Sequence, residues 1–546
     1  MTNMLRTLIF LPLLAVSLMA ADTPAKPKDM CAPPPGAVAP ALPAKIMEGQ
    51  GNVHFAITTS NPEAQRFFDQ GVSQMHSFWA TEAERSFLQA AALDPDAPMP
   101  WWGVAMVAAG DYRPRHQLER DGRPVKAASK PSPAEQRAID AAAKAVRLSQ
   151  VPGKASELEK MYIAAVAARR NSPAATRDAA YIAGLRAILA AHPDEVEAGC
   201  YLALHLMRGF TLPDHQPREG SMEAVALLRQ LAVKFPDHPG VHHYIIHGFE
   251  GATFAKDAWP SCRRYPQLVT NIPHALHMPG HIYAQTGEWA QAEAAFQSAA
   301  QNELGYLHAD SLYPTGHHGH NVAFLTVTYD FEGKYQQAMD AANSLLAFGE
   351  NPREKAAVDN PYAVYRQGWF GVLRTLVFFE KWDQILDAKT LPVYDKPREQ
   401  AWRHWAVGLA LAHRGGHEAA KSELRLMESA MKSLAQATGE PVPPALEVGR
   451  RELEGQIALA AHHAGRGLHQ MQAAAVMERA LRYTEPPSYP RPVYAALAVE
   501  ARRAGKPDIA ETALNQVLEQ YPGYSKALRA LRELHRENGD SSVAQK

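Results

Sequence analysis

Histidine is the residue whose spacing stands out in this chain, because 11 of the 24 histidines fall between His238 and His320. Set on a 34-residue frame, Pro239 and Pro273 each occupy position 1. His243 and His277 then share position 5, and His247 and His281 share position 9. Residues four apart on a helix lie on one face, so each frame offers a matched pair of imidazoles. Glu250 adds a carboxylate one turn beyond His247, and a third frame, starting at Gly319, places His320 at position 2. Imidazole suits Zn, Cu, Fe and Ni, and a nearby carboxylate widens the choice to hydrolytic or oxygen-using centres. His243, His247, Glu250, His277, His281 and His320 are therefore the candidate ligands of a transition metal such as Zn, Cu or Fe. They suffice for one centre with open positions or for two close ions. Neither pair has the Glu of the HExxH zinc-protease motif.

Other groups share or adjoin this stripe. His274, His317 and His318, with Tyr244 and Tyr283 beside them, are read as lining a groove for a substrate or partner. Arg374, at position 9 of a later frame, is a candidate to bind an acidic group in the same groove. Pro279 lies at position 7, where it removes a helical hydrogen bond and is expected to kink the helix or delay its start. A metal-free alternative stands beside this: histidines that pack in the core, or that hydrogen-bond a bound peptide and respond to pH. The chain carries no phosphate loop, no haem CxxCH and no Ser/His/Asp order that commits to a triad. Binding alone and catalysis both remain open. If the protein is an enzyme, a metal-dependent hydrolase or oxidoreductase acting on a small molecule is the expectation.

The elements that position these side chains form a repeat. With Ala64 as position 1, Gly71, Ala83, Phe87, Ala90 and Pro95 fall at 8, 20, 24, 27 and 32. Pro273 as position 1 gives Gly280, Tyr283, Ala292, Phe296 and Ala299, and Arg491 gives Ala498, Ala510, Leu514, Val517 and Pro522. Small residues at 8, 20 and 27 let two helices approach closely. This pattern resembles the tetratricopeptide repeat (TPR) family over most of residues 60–535. The segments HPGVHHYIIH and HALHMPGHIY resemble those of exported bacterial TPR-containing proteins. The resemblance implies an all-α, TPR-type helix–turn–helix solenoid, a right-handed superhelix with divergent repeats and insertions. It also implies a concave groove lined by positions 2, 5, 9 and 12, the family's usual seat for a protein or peptide partner.

Units are expected near 64–97, 195–238, 239–272, 273–306, 319–352, 366–399, 401–434, 448–485 and 491–524. The phase is lost between 110 and 150, although a helix is expected to start near Ser132, and residues 146–156 read as a loop. The resulting division is a signal peptide (1–21), a Pro/Ala-rich linker (22–59), N-terminal repeats (60–238), His-rich central repeats (239–352), C-terminal repeats (353–535) and a polar tail (536–546).

At 546 residues the chain exceeds one compact core, which a repeat array accommodates. A net charge of −1 gives no general affinity for nucleic acid. Arg6, the apolar run Leu8–Leu18 and Ala20–Ala21 read as an export signal, so a periplasmic or secreted location is expected. No later run is long and apolar enough to span a bilayer. Cys31, Cys200 and Cys262 form no CxxC pair, and burial is expected for the latter two.

Overall fold

The computed structural model describes residues 43–113, 130–309, 313–387, 389–481, 484 and 486–537. The expected leader and Cys31 lie outside these residues. The described residues form 24 α-helices and no strand, one isolated bridge between Phe210 and Pro217 aside. Consecutive helices pack as hairpins, and all nine expected units are present as such pairs. The chain is a TPR-type helix–turn–helix solenoid.

The sequence pattern shows directly how the hairpins close. A Cβ added at Gly71 would stand 2.6 Å from the ring of Phe87, and one at Gly280 would stand 2.5 Å from the ring of Phe296. Positions 8 and 24 thus touch as the repeat requires, with no room for a methyl group. Gly280→Ala is expected to lower stability by about 1–3 kcal/mol through overpacking. A thermal or urea melt checks it, and an unchanged midpoint would count against this packing.

The segment between 130 and 195 is more regular than its sequence suggests. Ser132 caps helix Pro133–Ser149 and Ser156 caps helix Glu157–Asn171, each in a capping box closed by Glu135 and Glu159. The loop read at 146–156 is correspondingly shorter, since its first residues, through Ser149, are helical. The described part of the Pro/Ala-rich linker is also packed rather than loose. Gln70 binds the backbone of Lys45 and Met47, Gln50 binds the carbonyl of Asn271, and Phe55 packs against Phe68, Trp102 and Tyr162.

One hydrophobic core runs from Ala44 to Ile282 and a second from Trp289 to Leu534. Each half folds back on the centre. Helix Pro62–His76 meets helix Pro239–Phe249, and the C-terminal Ser525–Glu537 helix meets helix Gly316–Glu332. Cys200 and Cys262 are both buried and free.

Candidate metal centre

Three helices carry the histidines: Pro239–Phe249, Pro273–Gln285 and Gly316–Glu332. The first two start with a proline at the first helical position, where its missing N–H costs nothing. His238 caps the first helix through its imidazole. The second stays one continuous helix across Pro279.

The ligand atoms assemble as two groups of three. His243, His247 and His274 form one, and His277, His281 and His320 form the other; within each group the atoms lie within 4.8 Å of one another. Both groups use positions 5 and 9 of one unit and position 2 of the next. His274, which the sequence placed in a groove, thus stands with His243 and His247. Glu250, placed among the ligands, instead meets His247 Nδ1 at 3.2 Å through its Oε2. None of the six histidines is more than 8% exposed.

The outer contacts set the tautomers of the first group. A carbonyl only accepts, so His243 donates its Nδ1–H to the backbone oxygen of His76, at the end of helix Pro62–His76. Its Nε2 is buried without a hydrogen-bond partner and keeps its lone pair. Glu250 fixes Nδ1–H on His247 in the same manner. A carboxylate or carbonyl holding the far nitrogen of an imidazole is the usual outer layer of a metal site. In the second group the Nε2 atoms converge: His277 Nε2 lies 2.6 Å from His281 Nε2 and 3.1 Å from His320 Nε2. His277 Nδ1 has no hydrogen-bond partner among the described residues.

Burial sets the electrostatics. It pushes His243 down to about 3, the His76 carbonyl offsetting only part of the effect. Burial, then the neighbouring histidines, hold His274 and His277 well below the ordinary range. Neutral imidazole is the form that binds a metal.

Aromatic rings close both groups. Phe78, with a left-handed backbone (φ 54°), places its ring 4.5 Å from His243, 5.2 Å from His247 and 5.5 Å from His274. A bulky residue in that conformation is strained and persists only where its surroundings enforce it. Phe324 and Phe296 do the same for the second group, at 4.7 Å and 5.8 Å from His281.

The remaining residues singled out by sequence sit in varied places. His317 lies between the groups, its Nε2 3.4 Å from His274 Nδ1 and its Nδ1 2.9 Å from Glu303 Oε2. His318 packs on Phe348 instead. Tyr244 is buried with its hydroxyl 3.0 Å from His76 Nδ1, and Tyr283 packs beside Trp259. Arg374 belongs to the C-terminal core, where it donates to the carbonyl of Pro487, and joins neither group. Tyr244, His317, His318 and Arg374 are buried, and Tyr283 is half-buried.

Sequence reasoning missed His76, Glu197 and Glu303. With His238, the first two form a further cluster with ligand atoms within 4.8 Å. Here each Glu197 oxygen already has a histidine, His76 Nε2 at 2.6 Å and His238 Nε2 at 3.0 Å. Burial opposes the charge on Glu197, but attraction to the two histidines more than offsets it and holds the carboxyl well below its usual range. This arrangement anchors His76, whose carbonyl orients His243. Glu197→Gln is expected to cost about 1–3 kcal/mol of stability, since one histidine loses its acceptor. Chemical denaturation measures this, and a shift below a few tenths would contradict the anchoring role.

No protein-family model and no curated protein matches this chain. Solved structures do. The human IFIT1 dimer with m7Gppp-AAAA is 12% identical over 88% of this chain and 91% of that chain, with a TM-score of 0.31. Yeast Tom70 is 10% identical over 89% of this chain and 98% of that chain, with a TM-score of 0.32. The P58(IPK) TPR domain is 10% identical over 88% and 99%, with a TM-score of 0.23. The fold assignment itself rests on the helix pairs described above.

Proposed function

We propose that this protein is an exported helical-repeat protein that binds transition metal ions through two three-histidine groups. The observation that carries the reading is the repetition: His243, His247 and His274 recur one unit later as His277, His281 and His320, each set converging within 4.8 Å. Packing histidines have no reason to repeat as convergent sets in register. In the second group, three Nε2 lone pairs facing one point need shared protons or a cation, and a single ion satisfies all three. In the first group, Glu250 and the His76 carbonyl supply the outer contacts that a bound ion needs. The exported location rests on the leader-like residues before Asp22. No helix among the described residues is long and apolar enough to cross a membrane.

Elemental analysis of untagged protein from the exported fraction tests this. Stoichiometric metal, with one of the two ions lost and the fold retained in His243→Ala, supports it. Metal-free protein that also takes up none on reconstitution would leave the chain a scaffold for a protein or peptide partner.

A further inference from the structure

Resting on that metal-binding reading, we propose that the two histidine groups form a single dinuclear copper centre that takes dioxygen between its ions. The groups are adjacent by construction. His274 of the first and His277 of the second lie one turn apart on the same helix, their rings 6.1 Å apart and inclined by 22°. His317 straddles both, its ring 5.6 Å from His274, 5.9 Å from His277 and 6.0 Å from His320. Its Nδ1 is held by Glu303, which Asn321 steadies at 2.8 Å.

The donor set selects the metal. Both groups offer imidazole alone, with no carboxylate oxygen among the ligand atoms, which suits copper and zinc better than the harder ions. Charge then separates these two. Among the described residues, the buried carboxylates Glu250 and Glu303 touch His247 and His317, and Arg113 stands over Phe78. Two monovalent ions bring half the positive charge that two divalent ions would bring into this buried site. Uncompensated charge away from water is costly, so the resting pair is Cu(I) rather than zinc.

Burial of every ligand limits the reactant to something small. Dioxygen meets that limit, and two Cu(I) ions supply what it accepts. Each copper gives one electron; the pair becomes two Cu(II) and dioxygen becomes peroxide, with no proton or further reductant required. The peroxide dianion also removes the excess positive charge created by oxidation.

The test uses the full chain and copper alone. Anaerobic titration with Cu(I) should show two ions bound. Exposure to dioxygen should oxidise both without producing the electron paramagnetic resonance signal of isolated Cu(II), because two adjacent coupled spins cancel. His317→Ala should keep both ions and, by loosening the element between them, restore part of that signal. Two full isolated Cu(II) signals, a single bound copper, or retention of zinc against excess Cu(I) would each overturn the dinuclear copper centre while leaving metal binding intact. Failure to bind any metal would overturn the metal-binding reading itself.

Discussion

Alanine at His277 is expected to reduce bound metal from about two equivalents to about one while leaving helical circular dichroism unchanged. His277 Nε2 is the atom that both His281 and His320 face, at 2.6 Å and 3.1 Å. Without it, the other two imidazoles are left with a two-ligand site. Disturbing even an outer contact of a metal ligand costs roughly 10–100-fold in affinity, and losing the central ligand exceeds that. The first group shares no ligand with the second and should keep its ion. His277 Nδ1 has no hydrogen-bond partner among the described residues, so the truncation strands no polar atom on that side of the ring. Metal analysis after treatment with a competing chelator measures the outcome. An unchanged stoichiometry would show that His277 is not a ligand, and loss of helical signal would show that it is a core residue.

Acid should destabilise the metal-free protein steeply, beginning near pH 6.5. His243 takes its proton at about 3 in the folded chain against an ordinary value of 6.5, burial being the main cause. His274 and His277 are likewise held well below the ordinary range, by burial first and then by the histidines around them. Between the two values the unfolded chain binds more protons than the folded one, so stability falls as pH falls. Each such histidine contributes a slope of up to about 1.4 kcal/mol per pH unit, and three together lose up to about 4 kcal/mol for each unit of pH. That is a large fraction of the roughly 5–15 kcal/mol available to a domain. Bound metal should delay this loss, because an ion holds the imidazoles neutral until protons displace it. Denaturant midpoints between pH 7.5 and 5 provide the check. A flat profile for the metal-free protein would mean the histidines are charged or exposed.

The periodic features were legible in the sequence because they depend on local spacing. Gly71 with Phe87 and Gly280 with Phe296 announce the hairpins, and the pairs at positions 5 and 9 announce the histidine faces. Even the third ligand of each group was marked, since His274 and His320 both occupy position 2. What spacing does not reveal is which face the folded chain covers. Spacing did not show that helix Pro62–His76 packs on helix Pro239–Phe249, where His76 meets the hydroxyl of Tyr244. His76 and Glu197 were invisible because their partners are remote in sequence, as with His76 and His243, 167 positions apart, and no local pattern marks them.

The left-handed turn at Phe78 sets a sequence of events during assembly. All ligands of the second group lie between His277 and His320, so one local segment can form that site unaided. The first group needs the His76 carbonyl and the Phe78 ring, delivered across a far longer loop whose closure is slower. Filling should therefore be ordered, with the second group capturing its ion first. Once the Phe78 turn swings in, the ion behind it exchanges only as fast as that turn reopens. The protein would hold its first metal by binding strength and its second by a slow exit.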